Sequence, residues 1–483
     1  MASITPPEHR WTRRDAVKLG VAGFAGLSAL GVASRTSAAG RAVAAAAFAP
    51  YQTELQIPPT LVPVSTTATE DRYELTIREG RAEIVPGTLT PVYGYDGIYP
   101  GPTIRARKGR TTVVRVTNAQ SFDQNVHLHG GLTPEASDGH PMQIIAPGGS
   151  YTYTYPNAQD AATLWYHDHA HGLSARTMFY GEAGFYLVGD ALEDSLELPS
   201  GDFDVPLVIQ DRAFNADGSL QYTEDLDAGF LGDTIVVNGT VSPRFAVKRG
   251  LYRLRFLNAS NARQYRLELS GGRQMTQIGG DGGLLQAPVV RNAIPLAPAE
   301  RADVVVDFRR LRAGTQVELR NGLGTGATAT VMRFDVTGSN ADSGRLPSQL
   351  RPREAIPEPV ATRRWELNFS TSGAPQWQIS GIGYDITRVD ARPRLGTTER
   401  WLWVNVSHRP HPMHIHGVHF RVLERSTGSP SAAERDWKDT VVVAPDETVI
   451  VQPYFKSYRG LYVFHCHLME HQEKAMMLQM EVV

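Results

Sequence analysis

The sequence predicts an all-β protein built from three β-sandwich domains. Glycine and proline are frequent, with 45 and 31 residues in a chain of 483, which favours many strands joined by turns. A weak repeat also runs along the chain, because three strand-like stretches each close on an asparagine, at Asn118, Asn258 and Asn405. Each stretch follows a glycine-containing turn and loop, so one β-sandwich present in three copies explains the pattern.

Composition shifts between the copies give the expected domain boundaries. Residues 190–206 are acidic and contain proline, whereas residues 339–359 are rich in Ser, Pro and Arg without periodicity. Such stretches are typical of linkers. We therefore expect domains at residues 50–195, 203–340 and 360–483, with little helix apart from a turn between Leu468 and Met476.

Residues 1–49 are expected to be a signal peptide and leader outside the fold. Arg13 and Arg14 precede an apolar run from Leu19 to Ala33. This run is too short and too rich in Gly and Ala for a comfortable transmembrane span, and an uncleaved signal kept as an anchor is the alternative. The pattern predicts export by the twin-arginine machinery, to the periplasm, the cell envelope or the medium.

Charge and cysteine content narrow the class of protein further. The net charge of −2 gives no electrostatic reason to bind nucleic acid or a membrane surface. An exported chain with one cysteine has no internal disulfide, so its stability must come from packed cores. We expect a monomer without a stable membrane partner.

The only cysteine, Cys466, lies between His465 and His467, and His471 and Met476 follow it. A thiolate, imidazoles and a weak thioether are the ligands of a blue-copper electron-transfer site. The preceding residues 460–464 are aromatic and β-branched and predict a strand. Side chains alternate along a strand, so the thiol would face one metal site and the two flanking imidazoles another. The alternative is a buried, inert thiol with incidental neighbours.

Eight of the 15 histidines form four His-x-His pairs. A spacing of two places both imidazoles on one face of a strand, as clustered metal ions require. His411 precedes His414 by three residues, which puts it out of phase and suits a ligand of the Cys466 site. The pairs are His127/His129, His167/His169, His414/His416 and His465/His467.

The order of these motifs resembles the three-domain multicopper oxidases: laccases, bilirubin oxidases and bacterial spore-coat and periplasmic copper oxidases. The resemblance covers the whole mature chain and implies three cupredoxin-like Greek-key β-sandwiches. It also implies one-electron oxidation of a phenolic or aminophenolic substrate, coupled to four-electron reduction of dioxygen to water. The matching motifs are His127-Leu128-His129-Gly130, Trp165-Tyr166-His167-Asp168-His169, His411 to Gly417, and His465 to Met476.

The resemblance assigns ligands for four copper ions. The type 1 ion would have His411, Cys466, His471 and Met476; the type 2 ion His127 and His414; and the type 3 pair His129, His167, His169, His416, His465 and His467. Electrons from a small-molecule reducing substrate would enter at the His471 edge and pass from Cys466 to His465 and His467. The middle domain would be a spacer.

Reduction of dioxygen consumes protons, so a proton relay is required. Asp138, nine residues after His129, is the candidate relay, and a turn residue before Gly139 is the alternative. Related bacterial sequences tend to carry Glu directly after the last type 1 histidine, but this chain has Gln472 there. Glu470 or a water chain would then be the substitute.

Five histidines have no ligand role in the family pattern, and we expect them to be exposed or hydrogen-bonded. His171 continues the phase of His167 and His169, so a supporting contact to a ligand is most expected there. The five are His9, His140, His171, His408 and His419.

Other functions stay open at this point. The family includes bilirubin oxidases and oxidases of the metal ions Cu(I) and Mn(II). Four of the ten methionines lie between Met469 and Met480, so the chain lacks the Met-rich insert of many cuprous oxidases. An electron-transfer cupredoxin or a copper nitrite reductase would not need four His-x-His pairs, and non-enzymatic relatives lose the ligands.

Overall fold

The computed structural model describes residues 49–372 and 375–483. The predicted signal peptide, with Arg13 and Arg14, lies outside the described residues except for Ala49. The described strands form six sheets, two in each of three stretches of sequence. We call these stretches the N-terminal segment (residues 65–189), the middle segment (residues 204–340) and the C-terminal segment (residues 359–482). The all-β prediction is confirmed.

The N-terminal segment has a five-stranded and a four-stranded sheet. Its strands are β1 (Ser65–Thr66), β2 (Glu70–Val85), β3 (Thr88–Tyr95), β4 (Ile104–Arg107), β5 (Thr111–Asn118), β6 (His127–His129), β7 (Ser150–Tyr155), β8 (Ala162–His167) and β9 (Ala183–Gly189).

The middle segment has a seven-stranded and a five-stranded sheet. Its strands are β10 (Asp204–Arg212), β11 (Thr234–Val237), β12 (Thr240–Val241), β13 (Arg244–Arg249), β14 (Leu251–Asn258), β15 (Tyr265–Leu269), β16 (Met275–Gly280), β17 (Gly283–Arg291), β18 (Ala293–Leu296), β19 (Arg301–Asp307), β20 (Gln316–Asn321) and β21 (Thr330–Asn340).

The C-terminal segment has a five-stranded and a four-stranded sheet. Its strands are β22 (Pro359–Phe369), β23 (Trp377–Ile379), β24 (Thr398–Asn405), β25 (His411–Ile415), β26 (His419–Arg425), β27 (Thr440–Val443), β28 (Thr448–Tyr454), β29 (Gly460–Cys466) and β30 (Met477–Val482).

Helices are short and few in the described chain. They are α1 (Ser174–Tyr180), α2 (Ala191–Ser195) and α3 (Met469–Glu473). The α3 helix confirms the expected helical turn after Cys466. The α2 helix lies in the stretch read as a linker, and it forms because the Asp190 carboxylate caps it by accepting the Glu193 N–H. Within the described residues, no helix is long and apolar enough to cross a membrane.

The three repeated asparagines play the same structural part. Asn118, Asn258 and Asn405 end the eight-residue strands β5, β14 and β24. Each side-chain amide donates to the carbonyl four or five residues on and to a second carbonyl 27 or 38 residues on. Each side-chain oxygen accepts the N–H two residues on. A buried polar side chain satisfied in this way fixes the turn that follows the strand.

Each segment buries an apolar core between its two sheets. In the N-terminal segment one cluster joins Leu75 of β2 to Leu164 of β8. In the C-terminal segment Trp401 and Trp403 of β24 pack in one cluster with Phe464 and Cys466 of β29. The cysteine is therefore held in a rigid, close-packed core rather than on a loop.

Strand register sets the histidines side by side. His127 of β6 lies opposite His167 of β8 in the N-terminal segment. In the C-terminal segment His414 of β25 lies opposite His465 of β29, and Met413 lies opposite Cys466. Two separate sheets therefore each present a row of imidazoles.

Candidate metal centres

The first group of metal-binding side chains surrounds Cys466 and comes from the C-terminal segment alone. Cys466 ends β29, His411 begins β25 and His471 lies in α3. Nδ1 of His411 lies 3.4 Å from the Cys466 Sγ, and Nδ1 of His471 lies 3.8 Å from it. The three side chains are buried, and their ligand atoms lie within 4.8 Å of one another. We call this set the Cys466 group.

Met476 is the methionine placed best to join the Cys466 group. It is fully buried and packs in the same apolar cluster as Cys466, whereas Met477 is outside that cluster. The backbone N–H of Cys466 also donates to the Met476 carbonyl at 3.1 Å.

The outer side of His471 is covered. Its Nε2–H donates to the backbone carbonyl of Asp227 at 3.1 Å, and the Trp377 ring stacks on it with centroids 4.0 Å apart. The exposed fraction of His471 is 0%. Asp227 of the middle segment and Trp377 of the C-terminal segment therefore lie over the His471 edge, where electrons are predicted to enter.

The second group joins the four His-x-His pairs, and we call it the histidine cluster. Rings from the N-terminal and C-terminal segments stack in pairs, His127 on His416 and His129 on His414, each with centroids 3.7 Å apart. The cluster therefore lies between these two segments. Its members are His127, His129, His167, His169, His414, His416, His465 and His467, all of them buried.

Hydrogen bonds to the protein fix one ring nitrogen of most cluster histidines. Nδ1 of His127, His167, His414 and His465 faces a backbone carbonyl at 2.6–3.0 Å. A carbonyl only accepts, so the proton lies on Nδ1 and Nε2 keeps its lone pair. His129 and His416 instead donate to the carboxylates of Asp439 and Asp138, at 3.0 and 2.8 Å.

The remaining ring nitrogens of the cluster face one another and receive no hydrogen bond from the rest of the protein. Nε2 of His465 lies 3.2 Å from Nε2 of His169 and 3.1 Å from Nε2 of His416. Burial lowers the pKa of His167 to about 3 and that of His465 to about 4, so both rings are neutral near pH 7. Nitrogens that are buried and have no hydrogen-bond partner include Nε2 of His127, His167 and His414 and Nδ1 of His129 and His169.

This donor set fits copper. Buried lone pairs that face one another need a cation between them, and neutral imidazole is a ligand for copper. A thiolate with two imidazoles and a nearby thioether is the donor set of a blue-copper site. Burial raises the pKa of the Cys466 thiol, so an arriving metal ion must displace its proton.

Asp138, the candidate relay, contacts the histidine cluster directly. Its Oδ2 accepts from Nδ1 of His416, its backbone carbonyl accepts from Nδ1 of His127, and its Oδ1 has no hydrogen-bond partner. Burial, with a smaller effect of Glu135, raises the pKa of Asp138 well above its ordinary value.

Gln472 and the two nearby glutamates, Glu470 and Glu473, have different hydrogen-bond partners. Gln472 is buried, and its Oε1 has no hydrogen-bond partner. Glu470, the expected substitute, accepts from Tyr222 and Asn261 of the middle segment, both at 2.9 Å. Glu473, which sequence reasoning missed, accepts the N–H of Ala175 at 3.0 Å, and burial raises its pKa to about 8.

Four histidines outside both groups have other partners. His140 contacts Gln479, His408 contacts the Asp227 carboxylate, His419 donates to the Gly130 carbonyl, and the His171 ring packs against Tyr384. His9 lies outside the described residues.

A Cys–His–His group joined through two shared strands to a buried cluster of eight histidines, on a scaffold of β-sandwiches, defines a copper protein of the electron-relaying type. Sequence models of the multicopper oxidase family match residues 76–192, 162–329 and 359–483. The chain belongs to the multicopper oxidase family. It is a copper-dependent oxidoreductase that uses dioxygen as acceptor and draws electrons from a reducing substrate.

Individual relatives agree with this assignment. The chain is 34% identical to a laccase from Bacillus subtilis (strain 168), over 89% of this chain and 97% of the laccase. It is 36% identical to a bilirubin oxidase from Albifimbria verrucaria, over 84% and 75% respectively. Among solved structures, a laccase from Pediococcus acidilactici superimposes with a TM-score of 0.83 at 32% identity, over 90% of this chain and 96% of that one.

Proposed function

We propose that the protein is a laccase-type oxidase that removes single electrons from phenolic or aminophenolic substrates and reduces dioxygen to water with four of them. The observation that carries the proposal is the shared strand β29, in which Cys466 belongs to one group and its neighbour His465 to the other. A few covalent bonds of the backbone therefore connect the two groups.

The donor set supports four copper ions in two places. His411, Cys466 and His471, with Met476 as a fourth ligand, would hold the type 1 ion. His127 and His414 would hold the type 2 ion, and the other six cluster histidines (His129, His167, His169, His416, His465 and His467) the type 3 pair. When bound, copper at the first place accepts and passes on single electrons, and copper at the second binds and reduces dioxygen.

Asp138 supplies the proton-handling side of the reaction. Each dioxygen takes up four electrons and four protons to give two waters. Buried against His416 and His127, the Asp138 carboxyl has one oxygen that accepts a hydrogen bond and one that is unpartnered. It can therefore hold a proton beside the cluster and release it there.

The cover over His471 shapes how a substrate is oxidised. A phenol does not need to touch the imidazole, because the Asp227 carbonyl and the Trp377 ring both contact it from outside. The donor binds outside this cover, and its electron crosses the hydrogen bond or the stacked ring.

A bilirubin-oxidase-like or metal-ion activity is the second candidate. The 36% identical bilirubin oxidase favours the former. For a Cu(I) oxidase the structure offers little, because Met142 is the one exposed methionine among the described residues. A surface site for a soft cation would need several thioethers.

Two measurements test the proposal. Metal analysis of the copper-reconstituted protein should give four copper ions per chain, and one or two would favour an electron-transfer protein. A steady-state screen should then rank phenols and aminophenols above bilirubin, Cu(I) and Mn(II) in kcat/KM. A higher kcat/KM for bilirubin or a metal ion would overturn the substrate class but leave the oxidase standing.

We also propose export as a folded monomer by the twin-arginine route, to the periplasm, the cell envelope or the medium. Ligands from residues 127 to 476 meet only after folding, and this route carries folded proteins. Arg13→Lys with Arg14→Lys should leave the enzyme inside the cell, whereas normal secretion of that variant would show that the pair is incidental. Light scattering checks the monomer.

A further inference from the structure

Arg301, the first residue of β19 in the middle segment, is buried with an exposed fraction of 2%. Its Nε donates to the Thr163 carbonyl at 3.0 Å, in the N-terminal segment. Nη1 and Nη2 donate to the carbonyls of Ala299 and Asp281 and form a two-pronged pair with the Asp439 carboxylate of the C-terminal segment. All five N–H groups of the guanidinium are used, so its position is fully determined.

Asp439 in turn contacts two members of the histidine cluster from different segments. Its Oδ1 accepts from Nε2 of His129 at 3.0 Å, and its backbone carbonyl accepts from Nδ1 of His414 at 2.8 Å. The Thr440 hydroxyl donates to the same Oδ1 at 2.9 Å. These contacts leave Nδ1 of His129 and Nε2 of His414 as the unpartnered nitrogens of the two rings.

The backbone next to His129 packs directly against this ion pair. Gly130 has a φ of +80°, and a Cβ there would lie 2.5 Å from Asp439 Oδ2 and 2.7 Å from Arg301 Nη2. The strand that carries His127 and His129 therefore rests on the charged pair without room for a side chain.

We propose that Arg301 is a positioning residue through which the middle segment orients the histidine cluster. The guanidinium fork holds the Asp439 carboxylate in one plane, and that plane directs which nitrogen of His129 faces the metal site. A second consequence concerns Asp439 itself, since its carboxylate, His129 and His414 form a group able to hold a metal ion. By occupying both carboxylate oxygens, Arg301 keeps Asp439 from acting as a ligand. The middle segment is then part of the site rather than a spacer.

This inference rests on the proposed copper cluster, and a matched control separates positioning from general stability. Arg255 is also a buried arginine of the middle segment, and it forms a two-pronged pair with Asp204. It also contacts Thr163, through the hydroxyl at 2.8 Å. Its partners Asp204, Thr163 and Asp303 make no hydrogen bond to a histidine in the described chain.

The experiment compares Arg301→Gln and Arg301→Lys with Arg255→Gln and Arg255→Lys, all in the full-length protein. Copper per chain, the blue absorption and the paramagnetic resonance spectrum of the non-blue copper are measured, with the Tm of the copper-free protein. All four variants, the two at Arg301 and the two at Arg255, should have a lower Tm than the wild type. Only the Arg301 variants should change the non-blue spectrum and weaken copper retention by the histidine cluster about 10–100-fold, while the blue absorption stays.

Two results would overturn the inference. The first is an Arg301→Gln protein with the wild-type non-blue spectrum and copper content and only a lower Tm. The second is an Arg255→Gln protein with the same spectral change as Arg301→Gln. If Arg301→Gln does not fold, Arg301→Lys, which keeps the charge but loses the fork, decides by the same criteria. Fewer than four copper ions in the wild type would instead count against the proposed function.

Discussion

The Cys466 group and the histidine cluster are built in different ways. The side chains of the Cys466 group come from residues 411–471 of the C-terminal segment. The histidine cluster takes His127, His129, His167 and His169 from one segment and the other four from another, and rings from the two stack on each other. One site is local in the fold, and the other exists only where two segments meet.

This difference determines which substitutions should affect one site and leave the other unchanged. The Cys466 group depends on one close-packed core and on the Asp227 carbonyl of the middle segment, so changes where the N-terminal and C-terminal segments meet should leave it intact. The histidine cluster depends on contacts such as that between His416 and Asp138, and it should respond to them. Strands β25 and β29 contribute to both, but only in β29 are the residues of the two sites adjacent, which is why a change at Cys466 should affect the whole enzyme.

The largest effect is expected from Cys466→Ser. The variant should lose the blue absorption and more than about a thousand-fold of oxidase activity, because a thiolate is needed for both. Absorption spectroscopy, turnover and metal analysis check this, with a loss of no more than about one copper ion expected. Retained turnover would show that electrons reach the histidine cluster by another path.

Asp138→Asn should act on the cluster alone. Loss of the proton-holding carboxyl next to His416 should lower kcat about 10–100-fold and flatten its pH dependence, with the blue absorption unchanged. Glu135→Gln, an exposed acid three residues earlier, is the control and should keep the wild-type kcat, with at most a small shift of its pH dependence, because Glu135 raises the pKa of Asp138 less than burial does. An Asp138→Asn enzyme with the wild-type kcat would show that Asp138 is a turn residue and not a proton relay.

The copper-free protein should lose stability as the pH falls. Burial lowers the pKa of His167 to about 3 and of His465 to about 4, below an unfolded value of about 6.5. Between those values the unfolded state binds more protons, so each ring removes up to about 1.4 kcal/mol of stability per pH unit of acidification.

Thermal unfolding of the copper-free protein at pH 7, 6 and 5 measures this slope. The double variant His167→Gln with His465→Gln should have a shallower slope than wild type. Equal slopes in the two proteins would mean that the cluster histidines are not held neutral by the fold.

The smallest effect is expected from Met476→Leu, which sharpens the description of the Cys466 group. Removal of the weak thioether should raise the redox potential of the blue site and change turnover only a few-fold, with the copper count unchanged. Redox titration of the blue absorption checks it, and Met477→Leu is the adjacent control. A shift with Met477→Leu alone would move the role of fourth ligand to that residue.

Much of the fold and part of the site could be predicted from local patterns in the sequence. Alternation along β29 and the His-x-His spacing are properties of single strands, so they can be recognised without knowing which strands meet. The repeated asparagines were also visible, because each closes a turn within its own copy. The α2 helix was missed, since one capping side chain, Asp190, decides it in a stretch of linker composition.

Contacts between distant segments could not be predicted in this way. The Asp227 carbonyl over His471 comes from 244 residues earlier in the chain, and Trp377 lies on a three-residue strand with no periodic signal. Arg301 and Asp439 are 138 residues apart and look like ordinary surface charges in the sequence. Only packing shows that they are buried against each other.

The burial of Cys466 also gives the protein a useful practical property. Its only thiol has an exposed fraction of 0%, so the folded protein offers no cysteine to a thiol-reactive reagent. A cysteine introduced at any exposed position would therefore be the single site of attachment, without removal of a native one. The molecule can be tethered to an electrode in a chosen orientation, and delayed labelling of Cys466 itself would time the opening of its core.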